Sequence, residues 1–319
     1  MEDPAVEKIV GQEFEINNTD VSEIEEGLKQ PTYRINTNQG TYIVQVSDKI
    51  GKEENELDRC VKSYELLQDK RIPVPHLKTG LKRISIDNQE LKYYIVESSG
   101  DKSLGGRVSK EMTSNAGKIL GRIHGYQSFD EAGWLLPEEN SFSVTPFPEG
   151  SYKEHINSNW QDYIDTLKQK EDWREVAEQA QNFFDKHSDE LPENFEPVFC
   201  HDDYSPDNLI IRNSKISAVI DFDMAYAGHL YRDLAKAANS FWMHDPYADW
   251  NIRKTLYEAY NQKVNLDENF KRFEPIYRVE TIIGTVTSLI ELNHFTQEEE
   301  DFYRARIPEI IEKAEQDLE

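Results

Sequence analysis

Residues 200–223, CHDDYSPDNLIIRNSKISAVIDFD, limit what this chain can fold into more than any other stretch. His201, Asp202, Asp203, Asp207 and Asn208 crowd one loop. The loop follows the apolar Val198, Phe199 and Cys200 and runs into Leu209, Ile210 and Ile211. Asn213 and Ser214 mark a turn. The apolar run 216–220 returns the chain and delivers Asp221 and Asp223 beside the loop. A solvated acidic hairpin has no need of such flanks. Carboxylates and an amide in this number suit Mg²⁺, which takes one or two carboxylates together with substrate phosphates. A carboxylate kept off the metal can serve as a base toward a hydroxyl.

The spacing His201-x-Asp203-x4-Asn208, followed by Ile220-Asp221-Phe222-Asp223, resembles the signature of the aminoglycoside phosphotransferase and choline kinase-like small-molecule kinases. Residues 228–235, GHLYRDLA, match that family's G-x-x-x-x-D-L-A stretch. Its usual loop reads H-G-D, and this chain carries Asp202 where glycine is common. The resemblance implies an α+β, two-lobed protein-kinase-like fold, with a β-rich N-lobe and a mostly helical C-lobe. It implies ATP, or GTP, and Mg²⁺ as cofactors and a small-molecule acceptor. Asp203 takes the place of the catalytic aspartate that accepts the hydroxyl proton, and Asn208 and Asp221 that of the magnesium ligands. His201 matches a histidine of the catalytic loop that holds the loop together. Asp223 stands as either a support of the metal or a substrate contact. Asp233 stands as a support of the loop backbone.

The first hundred residues read as β-structure with one helix. Residues 32–37 and 41–47 alternate around the turn at 38–40 and form a hairpin, with Tyr42, Val44 and Val46 on one face and Ile43 and Gln45 on the other. Leu57, Cys60, Val61, Tyr64 and Leu67 recur at helical spacing within 52–70, and IPVP at 72–75 stops that helix. Runs 77–86 and 91–97 read as strands. By the resemblance, 26–37 is the turn over the nucleotide phosphates, and Gly27 and Tyr33 are what it keeps of the glycine-rich pattern. Ile43 covers the nucleotide base, Gln45 occupies the position of the usual phosphate-binding lysine, and the backbone around Glu97 and Ser98 meets the adenine edge. Glutamine brings no positive charge, so Lys29 or Arg34 is the compensating cation. Glu56 stands where the lysine's glutamate partner would be. The division expected is 1–97 for the nucleotide-binding lobe, 98–106 for a hinge, and 107–319 for a helical lobe with the catalytic loop and acceptor pocket. Within the latter, 110–124, 153–170, 172–189, 230–243, 248–262, 268–295 and 298–317 read as helices and 130–152 as an irregular loop.

Charge bounds the partners. There are 36 basic side chains against 61 acidic ones, a net charge of −25. A polyanion this strong repels nucleic acid. No apolar run reaches the roughly 18–20 residues that span a bilayer, and the acidic start lacks the basic and apolar regions of a signal peptide. Cys60 and Cys200 form no metal pattern, which fits a reducing cytoplasm. The charge reads as a coat adapted to molar salt, with an ordinary acidic cytoplasmic protein as the other reading. The expected activity is transfer of the ATP γ-phosphate to a small-molecule hydroxyl: an aminoglycoside, an amino alcohol, a sugar or homoserine. A non-catalytic nucleotide-binding module and a Mg²⁺-dependent phosphoesterase are the rival readings. Oligomeric state leaves no trace in the sequence.

Overall fold

The computed structural model describes residues 4–14, 19–24, 31–48, 55–86, 89–100, 102–106 and 108–319. In chain order the elements are α1 (Pro4–Glu13), β1 (Asp20–Glu23), β2 (Thr32–Thr37), β3 (Gly40–Ser47), α2 (Glu56–Gln68), β4 (Leu77–Ile86), β5 (Gln89–Glu97) and β6 (Lys102–Ser103). There follow α3 (Lys110–His124), β7 (Gly133–Pro137), β8 (Phe142–Thr145), α4 (Tyr152–Lys168), α5 (Arg174–His187), β9 (Val198–Cys200), β10 (Leu209–Arg212), β11 (Lys215–Val219) and β12 (Tyr226–Gly228). Four helices complete the chain: α6 (Leu230–His244), α7 (Ile252–Tyr260), α8 (Glu268–Glu291) and α9 (Gln297–Leu318). The chain divides into two compact units, one of residues 1–105, 135–143 and 206–225, the other of 106–134, 144–205 and 226–319. Among the described residues no helix is long and apolar enough to cross a membrane.

The first unit is built on an antiparallel sheet in the order β1-β2-β3-β5-β4. Strand alternation sends Tyr42, Val44 and Val46 into a core with Tyr33, Ile35, Tyr93 and Ile95. Val6, Ile9 and Val10 of α1 close that core. The spacing of these three makes one apolar stripe, and burying each contributes about 1.5–3 kcal/mol. This helix was not expected from the sequence, because its stripe is only two turns long. On the opposite face of the sheet Tyr94 meets Tyr64 of α2, ring centroids 6.0 Å apart. The unit also holds the β10–β11 hairpin, registered Leu209 to Val219 and Arg212 to Lys215. Its turn is Asn213 and Ser214 at φ 52° and 57°, the left-handed pair a two-residue hairpin turn requires. Gly100 lets the chain lie against β10, since a Cβ there would stand 2.3 Å from the Ile211 carbonyl oxygen.

The second unit is mainly helical. Trp160 and Ile164 of α4, Phe183 of α5, Ile282 of α8 and Ile307 of α9 share one core. Side-chain caps start α3 at Ser109, α4 at Ser151, α7 at Asn251, α8 at Asp267 and α9 at Thr296. The Asn251 cap places the start of α7 later than the apolar spacing suggested. Residues 130–152 are not wholly irregular, since β7 and β8 form there. In this unit β12 pairs with both β7 and β9, setting Tyr226 beside Trp134 and Cys200. That pairing brings the end of β9, and the loop after it, beside the start of α6.

Candidate active site

The loop after β9 is held from beneath by Asp233, in the first turn of α6. Its carboxylate is fully buried. It accepts the backbone N–H of His201 at 2.9 Å and of Asp202 at 2.8 Å, and it meets His124 Nε2 at 2.8 Å. His124 Nδ1 lies 2.7 Å from the Tyr260 hydroxyl. Burial opposes the charge on Asp233, yet His124 and the His201 N–H hold its pKa down at about 2. His124, Cys200 and Asp233 have ligand-type atoms within 4.8 Å of one another, and the hydrogen bond between His124 and Asp233 joins two of the three.

His201 is fully buried, and its Nδ1 accepts the Asp203 N–H at 3.2 Å. The imidazole thus bridges its own loop, while Asp203 is exposed. Asp202 takes φ +64°, a region that favours glycine. Its carboxylate accepts from Arg232 Nη1 at 2.7 Å and Lys236 Nζ at 3.0 Å. Arg232 is buried and grips both Glu280 oxygens, each at 2.9 Å. Arg232, Lys236, His124 and Glu280 were not anticipated. The sequence signal was the acid at a glycine position, with two bases flanking Asp233 in RDLAK.

In the first unit the β10–β11 hairpin brings Asn208 and Asp221 together. The Ile220 N–H donates to the Asn208 carbonyl at 3.0 Å, which sets Asp221 beside Asn208 at the open end of the hairpin. Asp221 has φ +65°, and its N–H donates to the Tyr64 hydroxyl at 3.3 Å. Phe222 is buried edge-on to Tyr64 at 6.0 Å. Asp223 is buried, and its carbonyl accepts from Arg59 Nε at 2.6 Å. Burial pushes the Cys60 thiol pKa up, and the negative charge of Asp221 and Asp223 adds to that rise. An amide and carboxylates that concentrate negative charge are the hard oxygen donors Mg²⁺ takes, so the residues present fit that ion.

The sheet separates the remaining candidates. Ile43 and Gln45 share one face, and Arg34 lies directly across from Ile43 on that same face. Tyr33 pairs with Val44 and is buried in the core under α1, so it is not brought together with Ile43 and Gln45. The Gln45 side-chain oxygen accepts from the Tyr94 hydroxyl. The Glu97 N–H donates to the His76 carbonyl at 2.8 Å and the Ser98 N–H to the Thr41 carbonyl at 2.9 Å, while the Ser98 carbonyl accepts from Arg212. These two residues fix the course of the segment and have no amide to spare. Glu56 opens α2. Gly27 and Lys29 lie outside the described residues.

The fold and the loop define a phosphotransferase of protein-kinase-like architecture. The model of the phosphotransferase enzyme family, APH, matches residues 20–262. The chain belongs to this family of phosphotransferases. No curated protein matches it. Among solved structures it is similar in fold to a thermostable mutant of aminoglycoside phosphotransferase APH(4)-Ia in ternary complex with AMP-PNP and hygromycin B, at 14% identity and TM-score 0.66, covering 97% of this chain and 98% of that one. It is similar also to a microcompartment-associated aminopropanol kinase, at 15% identity and TM-score 0.62, covering 99% of each chain.

Proposed function

We propose that this chain transfers the γ-phosphoryl group of ATP to a hydroxyl of a small molecule, with Mg²⁺, and that Asp203 is the base. The observation that carries the reading is the exposed Asp203 carboxylate, on a loop whose N–H groups are clamped by a buried, ionised Asp233. A base must be fixed in place yet open to its substrate. Phosphoryl transfer asks for positioning and charge neutralisation rather than covalent chemistry. His201 sets the loop backbone at Asp203. Asn208 and Asp221 would hold Mg²⁺, with Asp223 as their support; when bound, the ion neutralises phosphate charge. Ile43 offers the nucleotide base an apolar cover, Glu97 and Ser98 set the course of the chain past it, and Arg34 supplies the positive charge that Gln45 does not. Two thiols without a disulfide suit a reducing compartment, and we place the reaction in the cytoplasm.

One neighbour in fold is an aminoglycoside phosphotransferase in complex with hygromycin B and another is an aminopropanol kinase, which supports a small-molecule acceptor here. The test compares wild type with Asp203→Asn. Nucleotide binding is read as a magnesium-dependent rise in melting temperature, with GTP as the comparison, and turnover as ADP release. Retained MgATP binding with turnover reduced by about 10²–10⁴-fold is expected from loss of a general base. Equal turnover in the two proteins overturns the assignment, and binding with no turnover in wild type returns the non-catalytic module.

A further inference from the structure

Lys236 lies one turn beyond Asp233 on α6, and its side chain is 26% exposed. Its ammonium is bonded to Asp202 Oδ2 at 3.0 Å. That is the one hydrogen-bond partner it has among the described residues. A lysine ammonium carries three donors and no acceptor, so two N–H groups remain. Its neighbour Arg232 is differently placed. Arg232 is buried and committed to Glu280, Asp202 and the Tyr226 hydroxyl. Arg232, Asp202 and Glu280 therefore make a mount, and Lys236 is the most exposed member of the group.

The mount keeps Lys236 charged. Burial and the neighbouring positive charge of Arg232 oppose the ammonium, yet the carboxylates of Asp202 and of Asp203 outweigh both and lift the lysine above its ordinary pKa. The phenol of Tyr163, on α4, lies in the same field, where burial raises its pKa and Lys236 and Arg232 pull it down. A half-buried cation with unspent donors thus stands beside the residue after which Asp203 follows directly in the chain. An acceptor hydroxyl placed at Asp203 brings the atoms next to that hydroxyl within this group's surroundings.

We propose that Lys236 is an acceptor-binding residue, donating from its ammonium to oxygen atoms that neighbour the reacting hydroxyl. The inference rests on Asp203 as the base. It sets the acceptor class. Donor-only chemistry is satisfied by the lone pairs of a hydroxyl, a carbonyl or a carboxylate. An ammonium in the same place offers no lone pair and repels the lysine. Acceptors are therefore oxygen-rich next to the reacting hydroxyl, as sugars, polyols and hydroxy acids are. Amino alcohols with a vicinal ammonium are disfavoured. Asp202 is the positioning residue that aims Lys236.

The experiment uses the full chain and a panel of glycerol, ribose, glucose, glycerate and tartrate against ethanolamine, choline and 1-amino-2-propanol, with ADP release as the readout. Wild type is expected to turn over a member of the first group at a kcat/KM at least tenfold above any of the second. Lys236→Met is expected to raise the KM of that acceptor at least tenfold and to leave the MgATP dissociation constant within twofold, with Lys236→Arg recovering part of the loss. Melting curves of the variants establish that they are folded, and Lys236→Gln serves if the methionine variant is not. Preference for an amino alcohol, no turnover with the oxygen-rich group, or a loss confined to kcat overturns the inference. If wild type fails to bind MgATP, the phosphotransfer reading itself fails and takes this inference with it. Binding of MgATP with the wrong acceptor preference fails the inference alone.

Discussion

The Asp233 carboxylate accepts the backbone N–H of Asp202 at 2.8 Å, and the Asp202 side chain returns to the same helix through Arg232 and Lys236. The loop after β9 is thus tied to α6 twice, once by its backbone and once by a side chain. The first tie needs only an acid at the start of a helix, where the helix dipole also favours it. The second needs two bases on that helix and an acid in a left-handed position.

The first tie is pH-sensitive. Asp233 has a folded pKa of about 2 against an ordinary 3.8. A depressed pKa stabilises the fold above the unfolded value and loses that contribution as pH falls from about 4 through 2. The contribution at neutral pH is about 2 kcal/mol. Asp233→Asn keeps the shape but not the charge facing His124. Its unfolding free energy, measured by urea titration at several pH values, is expected to lie below wild type at pH 7 and to converge with it toward pH 2. A constant gap across that range would show that ionisation of Asp233 is not what holds the loop.

How much of this was legible beforehand follows from how local each signal is. The loop and hairpin at 200–223 were readable because apolar flanks, turn residues and acids lie within one short stretch, and Asn213 and Ser214 take the backbone form the turn implied. The long helices were readable from their stripes. Tyr33 was not: the family resemblance put it with the phosphate turn, but pairing with Val44 turns it into the core under α1. The part played by Asp202 depends on partners 30 and 34 positions away, and only the folded chain brings them together.

Arg34 lies across from Ile43, on the sheet face that also carries Gln45. Gln45 is held by Tyr94 and is neutral. If Arg34 faces the nucleotide phosphates, Arg34→Ala removes a charge-assisted contact and weakens MgATP binding about tenfold, which corresponds to ~1.4 kcal/mol. Calorimetric titration reads this directly. Since α1 and the core lie on the other face, the melting temperature without nucleotide is expected to stay near wild type. Unchanged affinity would move the phosphate cation elsewhere, with Lys29 next to be tested.

A net charge of −25 repels itself most at low ionic strength, because added salt shortens the distance over which charges act. Melting temperature is therefore expected to rise from dilute buffer to molar KCl. Screening alone is complete within a few tenths molar, where the Debye length is already below about 8 Å. Continued gain beyond that point supports the salt-adapted reading, and a plateau supports an ordinary acidic protein.

Asp202→Gly sets two effects against each other. Glycine takes φ +64° without strain, a gain of about 1 kcal/mol. The same change removes the carboxylate shared by Arg232 and Lys236. Breaking a buried ion pair by deleting one partner costs about 3–5 kcal/mol. Arg232 keeps Glu280 and Lys236 is partly exposed, so the cost falls at the low end of that range. The net expectation is a loss of about 2 kcal/mol, despite the easier backbone, with a lowered melting temperature as its sign. Adding Lys236→Met to Asp202→Gly removes one stranded charge and is expected to restore part of the stability. A glycine variant as stable as wild type would show that the carboxylate is incidental and that relief of the left-handed backbone outweighs the ion pairs.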